Sequence, residues 1–288
     1  MASPLSRDDT PPTTTTASAF GFLTDVTLCI GCKACEVACK QWNGLEADGY
    51  AFSGESYDNT GDLGSETWRH VAFVECHADN TPADLLGSLM RPAGGDVAWL
   101  MMSDVCKHCV RAGCLEACPT GAIVRTEFGT VVIQQDVCNG CGYCIPACPF
   151  GVPQLSERTG TSRKCTLCYD RLSAGMEPAC AQSCPTDSII FGPVDELRER
   201  ADARINTLHA QGVEGAHLYG DEREGGTNGI GGLNALFVLT APPEVFNLPA
   251  APDLPSRRVL PGLLSTAAAA LGLTLAAALS LRHGDRRR

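Results

Sequence analysis

The sequence predicts an α+β fold that is followed by a single C-terminal transmembrane helix. Two observations support this prediction. All 17 cysteines of the 288-residue chain lie between Cys29 and Cys184, in blocks separated by short runs of strand-forming residues. Near the C-terminus, residues 259–281 contain no charged side chain and are rich in leucine and alanine. The chain is long enough for two ordinary domains or one large one.

The charge distribution argues against a nucleic-acid partner. The net charge is −11 at pH 7. Residues 1–256 are more acidic still, because six of the 22 basic residues but only one of the 33 acidic residues lie from Arg257 onward. Proteins that bind nucleic acid neutralise phosphates with clustered lysine and arginine side chains. We therefore expect no nucleic acid among the partners.

Residues 1–24 are predicted to form a disordered N-terminal lead. They are mostly polar in their first twenty positions and contain three prolines there, so they offer little apolar surface for a core. We find no apolar stretch and no pair of arginines in them, and we expect no signal peptide there.

The cysteines form an internal repeat of four blocks, each with four thiols. The third block has the C-x2-C-x2-C-x3-C-P spacing of bacterial ferredoxins. Three cysteines on a tight loop can hold three corners of a cubane iron–sulfur cluster, with Gly31, Gly140 and Gly142 easing the turns. We expect the fourth cysteine to begin a short helix and to reach a second cluster. The blocks are Cys29, Cys32, Cys35 and Cys39; Cys106, Cys109, Cys114 and Cys118; Cys138, Cys141, Cys144 and Cys148; and Cys165, Cys168, Cys180 and Cys184.

Two other uses of these cysteines fit the spacing poorly. Zinc ribbons use two separated C-x2-C knuckles, which only the fourth block resembles. Disulfides would leave adjacent thiols of one block competing for partners. The sixteen block cysteines therefore predict four [4Fe–4S] clusters with these cysteines as iron ligands, and Cys76 is left over as a small buried residue.

The order of the blocks predicts how they pair. Blocks two and three are joined by a predicted hairpin, with strands at 122–125 and 131–133, and form a compact inner unit. Blocks one and four then pair across it, so that two bacterial-ferredoxin-like two-cluster units are nested: an inner unit at 96–157 and an outer unit at 25–95 and 158–192. Each cluster takes three ligands from one block and one from its partner. The predicted ligand sets are set one (Cys29, Cys32, Cys35 and Cys184), set two (Cys39, Cys165, Cys168 and Cys180), set three (Cys106, Cys109, Cys114 and Cys148) and set four (Cys118, Cys138, Cys141 and Cys144).

Several runs resemble the iron–sulfur beta subunit of membrane-bound formate dehydrogenase. They are residues 29–39, 56–61 (Ser-Tyr-Asp-Asn-Thr-Gly), 67–71 (Thr-Trp-Arg-His-Val) and 164–171 (Lys-Cys-Thr-Leu-Cys-Tyr-Asp-Arg). The cysteine spacing alone is shared by a wider group of four-cluster electron-transfer subunits of molybdopterin oxidoreductases and some membrane nickel–iron hydrogenases. The resemblance implies two partners: a molybdenum or tungsten bis-pterin catalytic alpha subunit that oxidises formate, and a haem b membrane gamma subunit that reduces quinone. Lys40 replaces the proline that would end the first block.

The apolar stretch at 259–281 is predicted to be a membrane anchor. At about 1.5 Å per residue it would form a helix of about 35 Å, against a hydrocarbon core of about 30 Å. It would contact lipid, whereas the alternative is an alanine-rich helix docked on the body. Residues 241–258 are predicted to be an extended proline-rich connector. The basic tail at 282–288 favours a cytoplasmic C-terminus and an extracytoplasmic body.

The remaining segments suggest packing and contacts. Residues 193–240 are predicted to be a helix, over about 194–211, and a loop that pack on the outer unit. The loop at 44–64 is interpreted as a subunit contact or a ligand site. His108 lies within a cluster loop, where it either donates a hydrogen bond to a sulfur or faces solvent. His70 is expected to have a structural role.

These features predict a relay for electrons that is not itself catalytic, since no nucleophile–base pair or carboxylate dyad is recognisable. The predicted function is electron transfer from the catalytic subunit to the membrane cytochrome b subunit. Alternatives are the equivalent subunit of a membrane nickel–iron hydrogenase or of another molybdopterin oxidoreductase, and a structural zinc protein.

Overall fold

The computed structural model describes residues 19–47, 49, 54, 58–77, 97–222 and 229–285. The predicted lead up to residue 18 and part of the predicted loop at 44–64 (48, 50–53 and 55–57) lie outside the described residues. The strands are β1 (Phe20–Asp25), β2 (Arg69–His77), β3 (Val97–Val105), β4 (Ile123–Arg125), β5 (Val131–Ile133), β6 (Gln154–Leu155), β7 (Ser162–Arg163), β8 (Ile189–Pro193), β9 (His217–Tyr219) and β10 (Ala235–Leu239). The helices are α1 (Ala34–Asn43), α2 (Gly113–Glu116), α3 (Cys144–Ala147), α4 (Tyr169–Ser173), α5 (Ala179–Gln182), α6 (Val194–Ala210) and α7 (Pro255–Asp285).

A four-stranded sheet in the order β8-β1-β10-β9 forms one layer of the body. Strand β1 is antiparallel to β8 and parallel to β10. Since successive side chains of a strand point to opposite faces, Leu23 and Leu236 pack on α6, whereas Phe22 and Phe237 lie in the core with the cysteines. The sheet therefore separates helix α6 from the cysteine-rich part of the chain.

Two predictions for the parts that form this sheet are wrong. The disordered lead does not extend to residue 24, because strand β1 begins at Phe20 and buries its apolar side chains between β8 and β10. The segment at 193–240 is more than a helix and a loop, since it also contains β9 and β10. Strand β10 is buried along its whole length, and its partner β1 comes from the other end of the chain.

Gly21 in β1 leaves no room for a side chain. A β-carbon at this position would lie 1.9 Å from the carbonyl oxygen of Asn234. We expect Gly21→Ala to displace β1 from β10 and to lower the free energy of unfolding by about 1–3 kcal/mol. Denaturant unfolding of the anaerobically purified chain measures this change.

Gly192 provides the matched control, because it pairs directly with Gly21 across β1 and β8. A β-carbon on Gly192 would meet its nearest neighbour, Leu197, at 3.8 Å, which is an ordinary contact. Gly192→Ala is expected to leave stability nearly unchanged. Equal losses in the two variants would contradict the steric explanation.

Three antiparallel pairs complete the strand pairing in the described part of the chain: β2 with β3, β4 with β5, and β6 with β7. The β4–β5 pair confirms the predicted hairpin between blocks two and three, and Gly129 in its turn has a φ of 75°. Helix α6 ends at Ala210, one residue before the predicted end.

Helix α7 leaves the body and is 31 residues long. Its segment Pro255–Ala277 is long and apolar enough to span a membrane, and none of it is buried. The extended connector predicted at 241–258 is wrong at two places, since Pro243–Phe246 form a 3-10 turn and α7 already begins at Pro255. Proline is tolerated at a helix start, because an N–H there would have no helical partner.

Candidate iron–sulfur sites

The four cysteine blocks share one backbone feature. The residue before the second cysteine of each block has a positive φ, which is 66° for Gly31, 44° for His108, 73° for Gly140 and 59° for Leu167. A left-handed residue turns the chain sharply, and glycine adopts this conformation without strain. The turns predicted at the glycines are confirmed, and the sequence repeat is also a repeat of conformation.

A short helix follows the loop of each block, but it does not begin at the fourth cysteine as predicted. Cys144 is the first residue of α3, and Cys148 directly follows its end. Cys35 and Cys39 both lie within α1. Four residues of helix displace a side chain by about 6 Å along the axis, at about 1.5 Å per residue. This displacement brings the fourth thiol of a block into a different group from the first three.

Three of the predicted ligand sets line cavities. Sets one, three and four each line a separate small cavity. Each cavity is surrounded by three thiols from one block and one from another.

The thiols of set two also lie close together. Burial raises the pKa of Cys39 well above its usual value, and the neighbouring thiols of Cys165, Cys180 and Cys168 raise it further. Asn43 donates a side-chain hydrogen bond to the sulfur of Cys39 at 3.6 Å. The structure therefore brings the members of each predicted set together.

Burial dominates the electrostatics of the most deeply placed thiols. It raises the pKa of Cys35 and of Cys168 to about 11 and that of Cys114 to about 12. None of the 17 cysteines forms a disulfide, and Cys32 and Cys141 are exposed. A thiolate is the form that binds a metal, so the buried sets are stable as thiolates only when a positively charged group lies among them.

The cavity of set three has a further polar group that fits an iron–sulfur cluster. The imidazole of His108 lines this cavity and is 1 % exposed, so the solvent-facing alternative is wrong. Its Nδ1 accepts a hydrogen bond from the N–H of Val131 at 3.0 Å, which places the ring proton on Nε2. Nε2 has no hydrogen-bond partner in the described part of the chain. A cluster sulfur in the cavity would supply the missing acceptor.

The cavities fit a cluster better than a single ion. Among the described residues, no group of three or more histidine, cysteine, aspartate or glutamate side chains is close enough to hold one metal ion. The four thiols of each of these sets instead surround a cavity from several sides, three from one block and one from another. This arrangement suits a polynuclear group with one iron at each thiol.

Two buried cations lie between the sets, and no pattern in the sequence had indicated a role for either of them. Arg69 is 1 % exposed and donates to the sulfur of Cys180 at 3.4 Å. Lys164 is 2 % exposed, donates to the carbonyl oxygen of Cys165 at 3.1 Å, and has a pKa raised by Cys106, Cys114 and Cys165 against the effect of its own burial. In the sequence, Arg69 is a charged residue within a predicted strand, and Lys164 is a charged residue next to a cysteine. Charged residues in such positions are also common on exposed surfaces.

His70 has the structural role that was expected. Its Nε2 lies 2.9 Å from a carboxylate oxygen of Asp58. Partial burial would raise the pKa of Asp58, but the hydrogen bond and charge of His70 lower it below its usual value. Cys76 is buried, and it lines none of the three cavities.

Comparison with known proteins identifies the class. The 4Fe-4S dicluster domain family matches residues 97–194, which contain blocks two, three and four. Together with the grouped thiols, this match defines an iron–sulfur protein of electron transport.

Relatives along most of the chain identify the family. The nitrate-inducible formate dehydrogenase iron–sulfur subunit of Escherichia coli is 40 % identical over 236 residues, which is 81 % of this chain and 73 % of that protein. The formate dehydrogenase iron–sulfur subunit of Haemophilus influenzae is 39 % identical over 236 residues, 81 % of this chain and 69 % of that protein. The chain belongs to the family of formate dehydrogenase iron–sulfur subunits. The B subunit of anaerobic dimethyl sulfoxide reductase of Escherichia coli is a more distant relative, 34 % identical over 63 % of this chain and 77 % of its own length.

Proposed function

We propose that the sixteen cysteines of the four sets hold four [4Fe–4S] clusters and that the chain relays electrons between two partner subunits. When bound, such clusters accept and release one electron at a time. The single observation that carries the proposal is that thiols from blocks far apart in the sequence surround separate small cavities. The nested pairing of the blocks gives the same four groups.

The proposed relay is linear, in the order of sets one, two, three and four. Arg69 lies between the first two sets, since Cys35 of set one and Cys180 of set two both raise its pKa. Cys106 in set three raises the pKa of Cys165 in set two, so sets two and three are neighbours. Cys144 in set four likewise raises the pKa of Cys114 in set three, so sets three and four are neighbours.

The two ends of this order carry the exposed cysteines and exposed apolar side chains. Cys32 of set one is exposed, and the nearby Ile30 and Val37 are 59 % and 66 % exposed. Cys141 of set four is exposed, and the nearby Tyr143 is 62 % exposed. Apolar side chains at both ends favour protein partners there, so we assign entry and exit of electrons to these two surfaces.

The anchor indicates which end faces the membrane. Leu254, directly before α7, is fully buried and lies beside Gly113 at the start of α2. Ser256 at the start of α7 donates to the carboxylate of Glu116 at 3.0 Å. Since α2 belongs to block two, helix α7 begins near sets three and four. We propose that set four transfers electrons to a haem b membrane gamma subunit that reduces quinone, with α7 in contact with lipid.

Set one then faces the electron donor, which we propose to be a molybdenum or tungsten bis-pterin alpha subunit that oxidises formate. The higher identity to formate dehydrogenase subunits than to the B subunit of dimethyl sulfoxide reductase supports this choice. We also propose that the body lies outside the cytoplasm and the basic tail inside. The outer and inner ferredoxin-like units, at 25–95 with 158–192 and at 96–157, are part of the same proposal.

Metal analysis of the anaerobically purified full-length chain tests this function. We expect about 16 iron atoms per chain, four for each cluster, and paramagnetic signals of interacting clusters after reduction. Stoichiometric zinc with little iron would contradict the proposal and favour a structural zinc protein. Identification of co-purifying subunits by mass distinguishes a formate dehydrogenase from a hydrogenase or another molybdopterin oxidoreductase.

A further inference from the structure

Arg69 forms a hydrogen-bonded connection between set one and set two. One terminal nitrogen, Nη2, donates to the sulfur of Cys180 at 3.4 Å. The other, Nη1, donates to the backbone and side-chain oxygens of Ser103, both at 3.3 Å. The hydroxyl of Ser103 lies 3.2 Å from the sulfur of Cys35. A continuous path therefore runs from Cys35 through Ser103 and Arg69 to Cys180.

The positive charge of Arg69 lies within the protein and has no carboxylate partner in the described part of the chain. Its guanidinium stacks over the ring of Phe22, 4.6 Å from the ring centroid, and the side chain is almost fully buried. Burial would lower its pKa, but the neighbouring cysteines Cys180, Cys35, Cys165 and Cys39 raise it. A buried unpaired charge is strongly unfavourable, so the negative charge that balances Arg69 comes from sets one and two.

We propose that Arg69 is a fixed positive charge shared by sets one and two, and that it raises the reduction potentials of the two clusters held there. This inference depends on the proposed function. Uptake of one electron at either set adds one negative charge beside the guanidinium, and a fixed cation favours the more negative state. Hydrogen bonds to the sulfurs and local charge are two properties by which a protein adjusts these potentials. Within the described residues Arg69 contacts no cysteine of sets three and four, which keep their potentials without it.

A potentiometric titration of the anaerobically purified full-length chain, followed by electron paramagnetic resonance, tests this role in Arg69→Gln. We expect two of the four reduction steps to move to lower potential. The equilibrium constant of one-electron reduction should fall by about tenfold, which corresponds to about 59 mV. The other two steps and the iron content should remain as in the parent chain.

Three further variants make the result specific. Arg69→Lys keeps the charge but loses the forked hydrogen bonds, so the same two potentials should move by a smaller amount. Ser103→Ala removes the contact with Cys35, and we expect it to affect the potential of set one more than that of set two. Arg198→Gln is the matched control, because Arg198 pairs with Asp195 at 2.7 Å and with Asp221 at 3.6 Å instead of with a cysteine.

Unchanged potentials in an iron-loaded Arg69→Gln chain would overturn the inference. If this variant loses iron, unchanged potentials in both Arg69→Lys and Ser103→Ala would overturn it equally. A parent chain without iron would instead contradict the proposed function, which is a separate outcome.

Discussion

Replacement of Cys109 by alanine is expected to reduce the iron content of the chain from about 16 to about 12 atoms and to block electron transfer through it. Cys109 is buried in set three, which is an internal position of the proposed relay. Mutation of a residue that only hydrogen-bonds to a metal ligand typically reduces metal affinity or activity by about 10–100-fold. Loss of the ligand itself should therefore reduce electron transfer by more than about 100-fold. The measurement is formate-dependent reduction of a quinone analogue by the intact complex, together with iron analysis.

Cys76 provides the matched control for this experiment. It is buried, as Cys109 is, but lines none of the three described cavities. Cys76→Ala should keep the full iron content and full electron transfer. A Cys109→Ala chain with an unchanged iron content would show that set three holds no cluster.

Introduction of two lysines into the apolar part of helix α7 is expected to release the protein from the membrane. Leu264 and Leu271 lie within the apolar part of α7 and are 63 % and 70 % exposed. A lysine near the centre of a membrane helix disfavours insertion by about 2.5–3.5 kcal/mol. Leu264→Lys combined with Leu271→Lys should therefore move most of the protein from the membrane fraction to the soluble fraction after alkaline washing.

The corresponding pair of alanine substitutions is the control. Leu264→Ala and Leu271→Ala shorten the same side chains without adding charge, so the double variant should remain in the membrane fraction. Retention of the double-lysine variant in the membrane would contradict the anchor and favour a helix that binds through another subunit.

The grouping of the thiols could be predicted from the sequence because it depends on the spacing of cysteines that are close along the chain. A tight loop can direct three nearby cysteines to one centre, and a cysteine one helical turn further reaches the next centre, as Cys35 and Cys39 do in α1. The β4–β5 hairpin could be predicted for the same reason, since its strands are separated by a five-residue turn. The parallel pairing of β1 with β10 could not be predicted, because no local pattern specifies a partner strand at the opposite end of a chain.

The buried cations show a different limit of sequence reasoning. A single arginine or lysine between apolar residues usually marks an exposed position. Arg69 and Lys164 are buried where cysteines from several blocks converge, and these cysteines raise the pKa of both cations. Their environment exists only after the chain has folded, and the local sequence does not contain it.

The position of β1 also has a consequence for the order of assembly during translation. Both neighbours of β1 are made late, as residues 189–193 and 235–239. At about 5–20 residues per second, β10 leaves the ribosome roughly 10–40 s after β1. Sets three and four are complete once residue 148 has emerged, whereas set one waits for Cys184 and for the sheet beside it. In the proposed relay, iron would therefore enter set one only after most of the polypeptide has been synthesised.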